Sequence, residues 1–307
     1  MRKFIIDTDT ASDDAIAIIA ALKEPQVEVL ALTVVAGNVL LEQATQNALI
    51  SIEMADTYLP PVFKGAAKPL YRDLVQAANV HGSDGLGNMH LPCSKLQVES
   101  MHAVDALIHY IEKYPYEIEL ITLGPLTNIA LAIQKAPQTM KKLKSIVLMA
   151  GNGFGPGNVT KYAEFNVYVD AEALNVVLDL AVEKLFVGWD AISKGAFISE
   201  ADLKLLGSSD AKLAQFAIRC TKSLYEFQQR FGAKGFELAD PTAMLLALYP
   251  DVLTHKVDVY AHVEDQCEVR YGEVVLKTTD ESVFNATICT DINSTLFKNY
   301  LFKLLMG

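Results

Sequence analysis

The sequence predicts an α/β protein: a mostly parallel sheet with helices on both faces, plus a small antiparallel C-terminal addition. Three observations carry that expectation. Short apolar runs alternate with stretches of helical periodicity through most of the chain. Three strand-like runs then follow one another directly before a last helix. No linker, low-complexity stretch or internal repeat divides the 307 residues, so one elaborated domain over 1–307 is expected.

Taken in order, Lys3 to Ile6 reads as a strand, Asp13 to Lys23 as a helix and Val27 to Val35 as a second strand. Leu41 to Met54 has helical periodicity, and Ile118 to Leu123 and Ser145 to Met149 read as further buried strands. Helical segments at Met101 to Glu112, Leu126 to Gln134 and Asp170 to Leu180 separate or follow them. This alternation argues for right-handed βαβ units. Lys256 to Glu264, Cys267 to Leu276 and Ser282 to Thr290 make the antiparallel addition, and Ser294 to Met306 the closing helix. In such sheets ligands bind beyond the carboxyl ends of the strands, so the residues at those ends matter most.

Composition excludes several classes. With 51% hydrophobic residues, and only 17 Gly and 11 Pro, the chain is not disordered. The longest clean apolar stretch near the start, Ala15 to Leu22, is far short of the ~20 residues that cross a bilayer. Met1-Arg2-Lys3 leads into only Phe4-Ile5-Ile6 before Asp7, which is no signal peptide. Lys and Arg number 26 against 37 acids, a formal charge of −11, so nucleic acid is an unsuited partner. Cys93, Cys220, Cys267 and Cys289 are too widely spaced for a zinc pair or a disulfide framework, and reduced thiols in a cytoplasmic protein are expected.

The first strand runs into Asp7-Thr8-Asp9-Thr10-Ala11-Ser12-Asp13-Asp14 and then into an apolar helix. Helix capping, with Ser12 as N-cap and Asp13 and Asp14 in the first turn, explains the last two acids but not Asp7 and Asp9. Like charges this close repel unless a cation neutralises them. With no histidine or cysteine nearby, the donors favour calcium or magnesium over zinc. An EF-hand is excluded, since Ser12 stands where the loop needs Gly and Ile18 where it needs Glu. The cation must draw further ligands from distant segments, a pattern that belongs to an enzyme site.

Here the sequence resembles the inosine–uridine preferring nucleoside hydrolase family. The resemblance rests on Asp7-Thr8-Asp9 with Asp13-Asp14-Ala15, Val34-Val35-Ala36-Gly37-Asn38 and His81-Gly82-Ser83-Asp84-Gly85-Leu86-Gly87. It continues through Gly124-Pro125-Leu126-Thr127-Asn128, Gly157-Asn158-Val159-Thr160, Ala163-Glu164-Phe165-Asn166 and Asp240-Pro241. These blocks stand in the family's order along the whole chain. The resemblance implies a Rossmann-like core and calcium-dependent cleavage of ribonucleosides to base and ribose through an oxocarbenium-like transition state. It also implies a cytoplasmic role in nucleoside salvage and assembly as a homodimer or homotetramer. The implied calcium ligands are Asp9, Asp14, Asp240 and the backbone carbonyl of Leu123. Asp9 would double as general base on a calcium-bound water that Asn38 orients. Asp13 would accept from the 2′-hydroxyl, Asn166 would reach the 3′-hydroxyl, and Asn158 and Glu164 the 5′-hydroxyl. Asp7 would support the turn.

The departing base is where the sequence leaves the family's pattern. The histidine expected just before the late aspartate is Ala239, in Glu237-Leu238-Ala239-Asp240, and alanine donates no proton. His81 occupies the family's other histidine position and would assist. Phe227, Gln228, Phe231 and Glu237 precede Asp240 and would line a base pocket, Phe227 by stacking; Trp189 is a further candidate. Gly151-Asn152-Gly153-Phe154-Gly155-Pro156-Gly157 fails as a dinucleotide fingerprint because Pro156 stands at the third glycine, and reads instead as a mobile loop beside the site. Two rivals stand beside this reading. A haloacid-dehalogenase-like phosphatase would use Asp7 and Asp9 but leave Asp13 and Asp14 without a role. A nucleoside-binding protein that has lost turnover would accommodate Ala239.

Overall fold

The computed structural model describes residues 1–279 and 284–307. Its strands are β1 (Arg2–Thr8), β2 (Val27–Val34), β3 (Val62–Lys64), β4 (Ile118–Thr122), β5 (Ser145–Met149) and β6 (Lys184–Val187). After these come β7 (Phe197–Ser199), β8 (Gly235–Glu237), β9 (Leu253–Glu264), β10 (Glu273–Lys277) and β11 (Ala286–Ile292). Among the described residues nine of them form one sheet in the order β10-β9-β11-β6-β5-β4-β1-β2-β3. From β3 across to β11 every neighbouring pair is parallel, while β9 pairs antiparallel with both β11 and β10. A separate antiparallel pair joins β7 to β8.

The expected fold class is found, with the C-terminal addition continuous with the main sheet rather than apart from it. Successive strand side chains point to opposite faces. Phe4, Ile6, Leu32, Ile121 and Val147 therefore feed one core, and Ile5, Ala31, Leu120, Ile146 and Leu148 the other. The Ser12–Lys23 helix is buried from Ser12 to Leu22, and the Ala239–Leu248 helix is buried along its whole length. Such helices lack a polar face because they sit inside the molecule. Both belong to the same core and meet at the carboxyl end of β1.

Three expectations are corrected. Cys267 to Leu276 is not one strand: Glu268–Arg270 is a 3-10 turn and the strand begins only at Glu273. The Glu264 carboxylate accepts from the amides of Gln266 (2.9 Å) and Cys267 (3.0 Å), and Gly272 at φ +80° completes the reversal. Ser282 and Val283 lie outside the described residues, and the third run is a strand over Ala286–Ile292. Ser12 is not the N-cap. Ala11 holds that position, and the Asp14 carboxylate reaches back to the Ala11 amide at 2.9 Å, as the acid of a capping box does.

Candidate active site

The strand order reverses at β1, which has β2 on one side and β4 on the other. A crevice opens at such a switch point. β1 delivers Asp7 and Asp9 to it, β2 leads to Gly37 and Asn38, and β4 leads to Leu123 and Gly124. The main chain closes the seam, with the Leu123 amide donating to the Asp7 carbonyl (2.8 Å) and the Val35 amide to the Thr8 carbonyl (3.0 Å).

Each acid is held differently. Asp7 Oδ2 accepts from Thr33 Oγ1 (2.6 Å) and Asn128 Nδ2 (2.9 Å), behind the crevice. Asp9 Oδ2 accepts from the Asn38 amide at 2.6 Å, and the carboxylate fits between two glycines. A Cβ at Gly37 would lie 2.1 Å from Asp9 Oδ2, and one at Gly124 2.6 Å from Oδ1. Asp14 accepts from Thr8 Oγ1 (2.6 Å), from the Ala11 amide and, at 3.4 Å, from Asn38 Nδ2. Asp13, Asp14 and Asp240 bring ligand atoms within 4.8 Å of one another. Asp7 Oδ1, Asp9 Oδ1 and Asp13 Oδ1 are buried without a hydrogen-bond partner.

Burial, above all, disfavours the ionised form of all five acids. Asp7 is raised to about 7 and Asp13 to about 6. Asp9 and Asp240 stand well above the ordinary range and Asp14 is also raised, each pushed further by its acidic neighbours. No lysine or arginine among the described residues pairs with them. The nearest base is His81, with Nδ1 2.7 Å from Ser12 Oγ and 3.6 Å from Asp13 Oδ1. Burial lowers its imidazole to about 4, so the ring is neutral near pH 7. A buried carboxylate cluster with orphaned oxygens and no basic partner has the donor chemistry of a hard-cation site.

A cleft of about 460 Å³ opens above the acids. Its lining includes Asp13, Asn38, Leu123, Asn166 and Asp240, together with Trp189, Leu224, Phe227, Gln228, Phe231 and Glu237. Asn166 Nδ2 donates to the carbonyls of Leu123 (2.7 Å) and Met149 (3.0 Å), which leaves its Oδ1 as the free atom. Glu164 is buried as the N-cap of the Phe165–Val169 helix. Its Oε1 accepts from the Asn166 amide (2.8 Å), and its Oε2 from Gly151 (3.0 Å) and Val167 (3.3 Å). Burial raises it to about 7, against the pull of those amides. Asn158 Oδ1 accepts from the Phe165 amide at 2.9 Å. Phe227 meets Phe231 edge to face at 5.3 Å.

The sequence-derived candidates thus gather around one crevice: Asp9 and Asp14 lie just behind the lining, each bonded to Asn38, and Asn38, His81, Asp13, Leu123, Asn158, Glu164, Asn166, Phe227 and Asp240 lie on it. Sequence reasoning missed the Thr33–Asp7–Asn128 network and Thr8, whose contacts span distant segments. It also missed Asp190, which accepts from the Phe154 amide at 3.0 Å and pins the glycine-rich loop expected to be mobile. Its signal was present: Gly153 and Gly155 approach Asp190 so closely that a Cβ at either would lie within 3 Å of that side chain.

The chain matches the family model described as inosine-uridine preferring nucleoside hydrolase over residues 4–299. The probable uridine nucleosidase 1 of Oryza sativa subsp. japonica is 37% identical over 266 residues, covering 86% of this chain and 82% of that protein. The inosine-uridine preferring nucleoside hydrolase of Leishmania major is 35% identical over 255 residues, covering 82% and 81%. Among solved structures, a plant nucleoside hydrolase superposes with a TM-score of 0.94 at 30% identity, covering 100% of this chain and 99% of that one. A purine-preferring ribonucleoside hydrolase from Gardnerella vaginalis gives 0.92 at 27% identity, covering 100% and 98%.

Proposed function

The chain belongs to the inosine–uridine preferring nucleoside hydrolase family, and on that premise we propose that it hydrolyses the N-glycosidic bond of ribonucleosides in a calcium-dependent reaction. One observation carries the reading: a single cleft is lined both by acids and amide oxygens and by the aromatic side chains of Trp189, Phe227 and Phe231. A ribonucleoside has the matching halves, a polyol and a flat base.

Asp9, Asp14, Asp240 and the Leu123 carbonyl would hold the cation. They fit it because they are oxygen donors without a lysine or arginine partner, and Asp9 Oδ1, like Asp13 Oδ1 beside them, is buried without a hydrogen-bond partner. When bound, calcium supplies the positive charge that keeps these acids ionised and lowers the pKa of water beside them. Asp9 takes the proton of the attacking water on Oδ1, since the Asn38 amide already engages Oδ2. Asn38 positions both Asp9 and Asp14. Asp13 accepts from the ribose 2′-hydroxyl through Oδ1, and Asn166 from the 3′-hydroxyl through its own Oδ1. Asn158 offers its amide nitrogen to the 5′-hydroxyl. Glu164 contributes chiefly by seating the helix that carries Asn166, since main-chain amides occupy both its oxygens. His81 orients Ser12 and Asp13, and Phe227 stacks on the base.

A reducing-sugar assay over inosine, adenosine, guanosine, uridine and cytidine, with and without chelator, tests the proposal. Chelator-sensitive ribose release is expected. Ribonucleoside binding with no release would point to a binding protein instead, and release of phosphate from a nucleotide in place of ribose would return the phosphatase reading. Because the 2′-hydroxyl meets Asp13, 2′-deoxyinosine should have a kcat/KM roughly 10- to 100-fold below that of inosine, the worth of one hydrogen bond to a charged group. Equal values would contradict the ribose grip.

A further inference from the structure

The base end of the cleft lacks the residue that would complete the reaction. Breaking the C1′–N bond sends an electron pair onto the base, which is a poor leaving group unless a proton meets it. Ala239 lines the cleft and has no proton to give. His81 is engaged with Ser12 and faces Asp13, on the ribose side.

Glu237 brings a carboxyl to the same cleft. It ends β8, whose pairing with β7 fixes its backbone opposite Phe197. Its half-buried side chain lines the cleft together with Phe227 and Phe231. Gln228, one helical turn from Leu224 on the same wall, donates from Nε2 to Glu237 Oε2 at 3.3 Å. Among the described residues no lysine, arginine or histidine pairs with this carboxyl. The Gln228 amide takes one oxygen as acceptor and leaves Oε1 as the atom to carry a proton.

We propose that Glu237, held by Gln228, is the acid that protonates the departing base, in place of the histidine that Ala239 replaces. Burial, which raises this carboxyl above its ordinary value, favours the protonated form that such an acid needs. The balance closes. The C1′–N bond breaks and its electron pair stays on the base, which takes the proton from Glu237 Oε1. Water forms the new C1′–O bond and loses a proton to Asp9. Asp9 releases that proton to solvent, and Glu237 regains its own from solvent. This assignment rests on the ribohydrolase reading above and adds the group that serves the leaving base.

The test compares two substrates with the same ribose. Inosine needs its base protonated; p-nitrophenyl β-D-ribofuranoside releases a phenolate that does not. Glu237→Gln keeps the shape and the Gln228 side but removes the acid. Its kcat/KM for inosine relative to the nitrophenyl riboside should fall by about 100-fold or more, the usual span for a general acid. Equal losses on both substrates, or no loss on inosine, would overturn the assignment of Glu237 alone. A wild type that cleaves neither substrate would overturn the ribohydrolase reading with it. Should Glu237→Gln fail to fold, Gln228→Leu carries the same comparison, with a selective loss of about tenfold expected from one removed hydrogen bond.

Discussion

At the scale of single residues, the site depends on side chains that are absent as much as on those present. Asp9 is wedged between Gly37 and Gly124, neither of which has positive φ; the need for glycine here is space, not backbone conformation. A methyl group at Gly37 would lie 2.1 Å from Asp9 Oδ2 and 2.8 Å from Pro125 Cδ, so the carboxylate must move. The contact with the Asn38 amide goes with it. Gly37→Ala should therefore lower kcat by about 100-fold, since a displacement near 1 Å costs that much in a positioned group. The expected signature is a weaker calcium midpoint with the melting temperature of the metal-free protein little changed. Unaltered kcat and calcium midpoint would show that Asp9 is not held as described. Alanine at 239 works the other way: its side chain gives the cleft no polar atom, and the bonded Glu237–Gln228 pair lines that same cleft.

At the scale of elements, the Phe165–Val169 helix is too short to stand alone and takes its place from its cap. Glu164 accepts from the helix amide of Asn166 on Oε1 and from those of Val167 and Gly151 on Oε2, so it ties the glycine-rich loop to the helix that carries Asn166. Glu164→Gln turns one acceptor into a donor facing a main-chain amide. It should cost about 1–3 kcal/mol, read as a lower urea midpoint, and raise KM for nucleosides. A variant as stable as the parent would mean that the cap is dispensable. The same element shows what a sequence can and cannot disclose. Phe4-Ile5-Ile6 and Ile118 to Leu123 were legible as strands because a parallel sheet buries both of their faces. Cys267 to Leu276 misled, since Val269 and Tyr271 imitate a strand while Gly272 and the Glu264 carboxylate make a turn. Asp7, Asp9, Asp13 and Asp14 were legible as a site because they are neighbours in the chain. Glu164 was found only through its motif, and nothing local distinguishes a hydroxyl-binding acid from a cap. The Thr33–Asp7–Asn128 bonds join segments 26 and 121 residues apart and leave no local trace.

At the scale of the whole molecule, the sheet order concentrates negative charge in the one place where the fold opens. β1 lies at the switch point, and the buried Ala239–Leu248 helix returns late in the chain to set Asp240 against Asp13 and Asp14. A chain of net charge −11 thus packs its most strongly desolvated acids together, where a bound cation would relieve them. The pH dependence follows from the direction of the shifts. Asp7 and Glu164 are raised to about 7 and Asp13 to about 6, above their unfolded values near 4. An acid whose folded pKa is raised contributes stability that is complete below its unfolded pKa and is lost as pH rises through the folded one. Protein stripped of metal should therefore melt at a lower temperature at pH 8 than at pH 6. Calcium should oppose the trend, since an ion on the ionised carboxylates would gain affinity as they lose protons. At about 100 times its dissociation constant the cation should add roughly 2.7 kcal/mol, several degrees of melting temperature, with the larger gain at pH 8. Thermal melts at the two pH values, with chelator and with calcium, read both effects. Metal-free melting that is indifferent to pH would mean that these acids hold no more protons in the folded protein than in the unfolded chain, so that burial does not raise them. A calcium effect equal at both values would place the ion away from them.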